Sequence, residues 1–269
     1  MLRSVLTAAI LVAVAFLVGV LVLQERMAYQ PPRVVEPTPA GAERVDYVAA
    51  DGQPLYAYVI PAATSAGGPP RILLAFHGNA DLAAWVAPWA REVARRTGRT
   101  VVLAEYRGYG GLTGSPSAPG VRADSRAALD FVRTRFGAGA HIAYYGHSLG
   151  SAVATELASA APPEVLVLES PFTSARTMAA RYGTPIVSWL WPLIGRIPYD
   201  TEARVRTLDV PVWVAHGDRD LIVPTRMGHA VFAAAKDQGE LLIVAGGSHN
   251  GIADVGGDAY WSWLTRALR

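Results

Sequence analysis

Residues 141–160 read HIAYYGHSLGSAVATELASA, from His141 to Ala160. An apolar run of strand character ends in Gly146-His147-Ser148-Leu149-Gly150 and passes directly into an alanine-rich helical pattern. Gly-x-Ser-x-Gly by itself is a small-residue turn of little meaning. Between a strand and a helix it is a strained turn that lifts a serine hydroxyl clear of the sheet. The turn tolerates little bulk beside the serine, which accounts for Gly146 and Gly150. The spacing therefore predicts that Ser148 is a nucleophile.

A serine hydroxyl is a weak nucleophile at neutral pH and needs a base within reach. The chain has six histidines. His77 opens HGNA at a strand end and is expected to brace that loop. His141 starts the strand leading to Ser148, and His147 adjoins Ser148 on a tight turn whose neighbours point apart. His216 ends a strand, and His229 lies on a helix surface. His249, in the small-residue loop AGGSHNGI between the last strand and the last helix, is the expected base. The base needs an acid to hold its tautomer. Asp218 and Asp220 follow a strand in VWVAHGDRDLIVP; Asp220 is the expected partner, Asp218 a turn cap, and Glu169 the lesser alternative. For an oxyanion, Leu149 offers a backbone N–H at a helix start, and the loop after ILLAFHG offers a second, from Asn79 or else Ala80.

Outward from this stretch, apolar β-rich runs alternate with helical patterns. Strands are expected at Arg44–Ala49, Leu55–Ile60, Ile72–Phe76, Thr100–Glu105, His141–Tyr145, Val165–Glu169, Val212–Ala215 and Leu241–Ala245. Helices are expected at Asp81–Thr97, Ala118–Phe136, Leu149–Ala160, Arg226–Lys236 and Asp258–Leu268. The first two strands flank ADGQP, a hairpin turn. The remainder predicts an α/β fold, a mostly parallel sheet with helices on both faces. Residues 173–206 interrupt the alternation with RYGTPIVSWLWPLIGRIPYD and no strand. They form either an ordinary packed connection or a short lid.

The chain has 269 residues, no cysteine and a net charge of +2. Disulfides, thiolate metal sites and a cysteine nucleophile are excluded. Lys236 is the lone lysine, and the arginines fall singly or in pairs, a pattern that does not make a nucleic-acid footprint. Val5–Leu23 is free of charge, with Thr7 its one polar side chain. As a helix it would span ~28 Å, close to the roughly 30 Å of a bilayer core. It is too long for a signal-peptide core and lacks a small-residue cleavage site after it, so residues 1–26 read as an uncleaved single-pass membrane anchor. Arg3 and the terminal amine precede it while Arg26 follows, which weakly favours a cytoplasmic amino terminus and an extracytoplasmic domain. Residues 27–43, with Pro31, Pro32, Pro37 and Pro39, read as an extended linker. Residues 44–269 are the folded domain.

HGNA (77–80), YRGYG (106–110), GHSLG (146–150), HGDRDLIVP (216–224) and GGSHN (246–250) occur in that order. With them the domain resembles the α/β-hydrolase superfamily, and most of all its small membrane-anchored serine hydrolases. The resemblance implies an eight-stranded α/β-hydrolase fold and the triad Ser148, Asp220 and His249. It also implies an esterase or thioesterase acting on an acyl or lipid-like substrate without metal or organic cofactor. A peptidase of the same superfamily and a non-catalytic anchored binding protein are the alternatives. Leu112 stands where the family often has serine, and Asp81 where it often has glycine, so substrate preference does not transfer with the motifs. Oligomeric state is not legible.

Overall fold

The structure is a computed structural model describing residues 7, 11, 12, 14–16, 18, 19, 24–32, 34–62, 68–183 and 185–269, with backbone alone for 185–188. The expected anchor, Val5–Leu23, lies largely outside the described residues. Those of its residues that are described are helical. Among the described residues no helix is long and apolar enough to cross a membrane.

Eight strands form one sheet: β1 (Glu43–Val48), β2 (Pro54–Ile60), β3 (Arg71–Phe76), β4 (Thr100–Ala104), β5 (His141–His147), β6 (Leu166–Glu169), β7 (Val212–Gly217) and β8 (Gln238–Val244). Their order across the sheet is β1-β2-β4-β3-β5-β6-β7-β8. The β1–β2 hairpin pairs antiparallel from Glu43↔Val59 to Val48↔Pro54, β2 runs antiparallel to β4, and every later pairing is parallel. Parallel pairing brings the carboxyl ends of β3, β5, β6, β7 and β8 to one edge, through Phe76↔Gly146, His147↔Glu169, Glu169↔Ala215 and Gly217↔Val244. This edge is where open α/β sheets bind ligands.

The sheet separates two apolar layers. Strand side chains alternate between them: Ile72, Leu74 and Phe76 enter one, Leu73 and Ala75 the other. The first layer is closed by α2 (Ala118–Phe136), α3 (Leu149–Ala160), α6 (Thr201–Val205) and α7 (Thr225–Ala234); the second by α1 (Ala83–Thr97) and α8 (Ile252–Ala267). The expected architecture, helices on both faces of a mostly parallel sheet, is the one observed.

Boundaries differ in instructive places. α8 begins at Ile252, not Asp258, and is interrupted at Gly257 (φ 48°, ψ −131°). The Gly256-Gly257 pair disfavours helix locally, yet burial of Ile252 in the second layer holds the extra turn. β8 starts at Gln238, three residues before the expected Leu241, because pairing with β7 extends to Val212↔Gln238. α1 starts at Ala83 rather than Asp81, since Ala80 adopts φ 53° and the Asp81 carboxylate accepts from the Leu82 N–H at 2.8 Å.

Two segments gain definition. Residues 173–206 hold α4 (Ala175–Tyr182), α5 (Pro185–Ile194) and α6, and an antiparallel Ser174↔Asp200 bridge closes the base of this excursion. The proline-rich segment does not stand off as a free spacer. Tyr29 is buried, the Trp85 indole donates to Glu36 at 2.9 Å, and Arg91 donates to the Ala40 carbonyl at 3.1 Å.

Candidate active site

β5 ends at His147, and Ser148 turns the chain into α3 at φ 52°, ψ −113°. A non-glycine residue held there costs roughly 1–3 kcal/mol, which the surrounding packing must offset. The flanking glycines are steric necessities. A Cβ on Gly146 would lie 2.2 Å from the Gly150 carbonyl oxygen, and one on Gly150 would lie 2.1 Å from that of Phe76. The turn is thus wedged against the end of β3 with no room for a methyl group.

The structure brings the three expected side chains together from three loops at the sheet edge. Ser148 Oγ donates to His249 Nε2 at 2.9 Å. His249 Nδ1 donates to Asp220 Oδ2 at 2.7 Å. Asp220 Oδ1 accepts from the N–H groups of Ile222 (2.9 Å) and Val223 (2.8 Å). Burial opposes ionisation of Asp220, but the bonds from His216 and His249 prevail and hold its carboxyl well below the usual carboxylate range. It is a fixed negative charge beneath the imidazole.

The other acidic candidates have different work. Asp218 accepts from the Gly246 N–H at 2.7 Å, tying its turn to the loop that carries His249. Glu169 Oε2 accepts from the hydroxyls of Tyr145 (2.9 Å) and Tyr260 (2.7 Å), a buried link between β6 and α8.

The loop after β3 lies directly on the serine turn: a Cβ on Gly78 would be 2.8 Å from His147 Nδ1 and 3.6 Å from Ser148 Cβ. The loop is held from beneath by His77. Its Nδ1 donates to the Gly78 carbonyl at 2.8 Å and its Nε2 to Glu105 at 2.7 Å, both side chains being buried. Burial disfavours the imidazolium, but Glu105 outweighs it and raises the His77 pKa. The expectation that His77 braces this loop agrees with its contacts.

Three roles escaped the sequence. His216 Nε2 donates to the Val223 carbonyl at 2.8 Å and also approaches Asp220 Oδ2 at 3.2 Å, so the Asp220 carboxylate is flanked by two imidazoles. His147 Nε2 donates to the His249 carbonyl at 3.0 Å and so fixes the backbone of His249. Burial lowers the His147 pKa, as suits a neutral donor. The Asn79 side chain pairs with the amino-terminal segment like a short piece of strand. It donates to the Ala28 carbonyl (2.8 Å) and accepts from the Gln30 N–H (2.9 Å) and the Tyr109 hydroxyl (2.7 Å). The proximity of two HG dipeptides to strand ends was the visible signal for His77 and His216; nothing near Asn79 in sequence pointed to residues 28–30.

Beside this site a cleft of about 590 Å³ opens between α1 and α8, reaching His77, His147 and Glu169. Among the described residues, no group of His, Cys, Asp and Glu is arranged to hold a metal ion.

A mostly parallel sheet with a strained serine turn after β5, joined by hydrogen bonds to a histidine and an aspartate from the loops after β8 and β7, has the architecture of a class, the α/β-hydrolases. The comparisons agree. A family model described as "Serine aminopeptidase, S33" matches residues 67–200. The uncharacterized protein Rv2307c of Mycobacterium tuberculosis is 36% identical over 236 residues, covering 84% of this chain and 80% of that one. Lysophosphatidylserine lipase ABHD12 of Macaca fascicularis is 29% identical over 180 residues, 61% of this chain and 45% of its own. The solved Pyrococcus furiosus esterase Pf2001 superposes with a TM-score of 0.69 at 18% identity, over 90% of this chain and 99% of that one. The chain belongs to the α/β-hydrolase superfamily.

Proposed function

We propose that the protein is a membrane-anchored serine hydrolase that cleaves an ester or thioester of an acyl or lipid-like substrate through an acyl-enzyme. The observation that carries the reading is the unbroken chain Ser148 Oγ–His249–Asp220 at 2.9 and 2.7 Å, with Ser148 on a strained elbow. Ser148 Oγ attacks the carbonyl carbon as its proton passes to His249 Nε2. The negative charge on the carbonyl oxygen is met by the N–H groups of Asn79 and Leu149. His249 then returns the proton to the leaving oxygen or sulfur, and the C–O or C–S bond breaks. Water, deprotonated by the same nitrogen, attacks the acyl carbon and releases the acid and free Ser148. Asp220 keeps His249 in the Nδ1–H tautomer and stabilises the imidazolium at each stage. No step calls for a metal or an organic cofactor.

The acyl preference is supported by the apolar Val5–Leu23 run and by similarity to a lysophosphatidylserine lipase. The domain is proposed to lie on the extracytoplasmic side. A second reading, aminopeptidase, is favoured by one feature. The cleft beside the site is lined by the carboxylates of Asp81, Glu92, Glu169 and Asp254 and the indoles of Trp85, Trp89 and Trp261, with no lysine or arginine, and so suits a substrate amine. The test is a substrate series on the full-length protein: p-nitrophenyl esters and acyl thioesters of increasing chain length against aminoacyl p-nitroanilides. The proposal expects turnover of esters or thioesters with a burst from acyl-enzyme formation. Turnover confined to the anilides would replace it with the second reading.

A further inference from the structure

The excursion between β6 and β7 exposes what a folded chain normally hides. Trp189 and Leu193, one helical turn apart on the same side of α5, are 76% and 83% exposed. Leu221, in the loop that carries Asp220, is 82% exposed, with Ile222 and Tyr182 also outward. Tyr182, Leu221 and Ile222 belong to one surface, and α5 packs directly against α4. The Tyr182 hydroxyl donates to the Ile222 carbonyl and Arg181 to the Leu221 carbonyl, each at 2.7 Å, so the end of α4 is fastened to the acid loop. The charge pattern is one-sided: from Pro171 to Tyr199 there are three arginines, Arg176, Arg181 and Arg196, all exposed, and no aspartate or glutamate.

The same surface is tied to the end of the apolar amino-terminal run. Gln24, the first residue after Val5–Leu23, is buried. Its side chain donates to the Ile194 carbonyl at 3.0 Å and accepts from the Arg196 N–H at 2.7 Å. Five residues on, the hydroxyls of Tyr29 and Tyr199 meet at 2.9 Å. The carboxyl end of α5 is therefore locked to the point where the apolar run ends.

We propose that this face, formed by Trp189, Leu193, Tyr182 and Leu221 with Arg176, Arg181 and Arg196, docks on the anionic surface of the bilayer that holds the amino-terminal run. Within residues 171–199, exposed tryptophan, tyrosine and leucine among arginines without a carboxylate have the chemistry of an interfacial segment: apolar groups enter the headgroup boundary while guanidinium groups meet anionic lipid. The Gln24 clasp supplies the geometry, since it holds α5 at the level where the run leaves the hydrocarbon. The loop bearing Asp220 then lies beside the headgroups, and a bilayer-resident acyl substrate reaches Ser148 without crossing open water. The inference rests on the membrane-anchor reading of residues 5–23.

Because the chain has no cysteine, a single introduced thiol reports one position. Full-length L193C carrying an environment-sensitive nitrobenzoxadiazole label is reconstituted in phosphatidylcholine nanodiscs with and without phosphatidylglycerol. D237C, beside the amino end of β8, is the control. Lipids with a nitroxide on the headgroup should quench the label at 193 far more than at 237, and more strongly with phosphatidylglycerol. Protein that co-elutes with discs but shows equal quenching at the two sites overturns the docking and leaves the anchor standing. Protein that does not co-elute overturns both. A blue-shifted label at 193 that nitroxide lipids do not quench assigns the face to a second protein copy, and also overturns the proposal. In the kinetic counterpart, W189S/L193S should lower hydrolysis of a long-chain ester in vesicles by about tenfold while leaving p-nitrophenyl acetate turnover in solution unchanged. Equal losses on both substrates, or none, count against it.

Discussion

Asp220→Asn is the substitution whose consequence follows most fully from the geometry. Every group around the Asp220 carboxylate is a donor. Oδ1 faces the Ile222 and Val223 N–H groups at 2.9 and 2.8 Å; Oδ2 faces His249 Nδ1 at 2.7 Å and His216 Nε2 at 3.2 Å. An asparagine must turn its NH₂ towards one pair. Towards the backbone it leaves two N–H groups unsatisfied, at about 1–3 kcal/mol each. Towards the imidazoles it loses less, because His249 can answer by moving its proton from Nδ1 to Nε2. That tautomer cannot accept the proton of Ser148. The expected result is a folded protein whose kcat for a p-nitrophenyl ester falls by about 10⁴-fold with little change in KM. Asp218→Asn, which weakens one bond to the Gly246 N–H, should cost less than about tenfold and roughly 1 kcal/mol of stability. Kinetics and thermal melts of both variants decide the matter. A larger loss in Asp218→Asn, or an Asp220→Asn enzyme within tenfold of the parent, would refute the assignment of the acid.

Other consequences are equally specific. Asn79→Ala removes three hydrogen bonds that hold the loop after β3. It should lower kcat by about tenfold while KM for a short soluble ester stays near the parent value, since the backbone N–H remains but is less well aimed; an unchanged kcat contradicts this. Gly150→Ala sets a methyl group against the Phe76 carbonyl at 2.1 Å and should destabilise the protein by at least about 1–3 kcal/mol, measured by urea unfolding. His77 gains a raised pKa on folding through Glu105. Its contribution to stability is therefore complete below the unfolded value of about 6.5 and is lost as pH rises through the folded value. His77→Gln should flatten the fall in unfolding free energy above that pH, and an identical slope in parent and variant counts against the charged pair.

Much of this molecule is legible from residue pattern, and the illegible part has a physical reason. The β5–α3 passage is local. A continuous apolar run, a glycine-flanked serine and an alanine-rich helix follow one another directly, and the elbow forms where they meet. The expectation of Asp220 rather than Asp218 follows the resemblance of HGDRDLIVP to the family pattern, and Asp220 is the carboxylate that meets His249 and the N–H groups two and three residues on. The contacts missed are those between segments far apart in sequence. Asn79 meets residues 28–30, His147 meets the His249 backbone, and Gln24 meets Ile194 and Arg196. A polar side chain advertises no partner in sequence when both partners are backbone groups. The start of α8 is illegible for the opposite reason: local propensity at Gly256-Gly257 speaks against helix, and burial of Ile252 overrides it.

The central claim is that Ser148 is the nucleophile. Its most direct test is labelling of the full-length protein with a fluorophosphonate, followed by peptide mass mapping and comparison with Ser148→Ala. The account predicts a single adduct on Ser148 and, in the alanine variant, loss of both the adduct and ester turnover. An adduct on another residue, or undiminished turnover by Ser148→Ala, would contradict it.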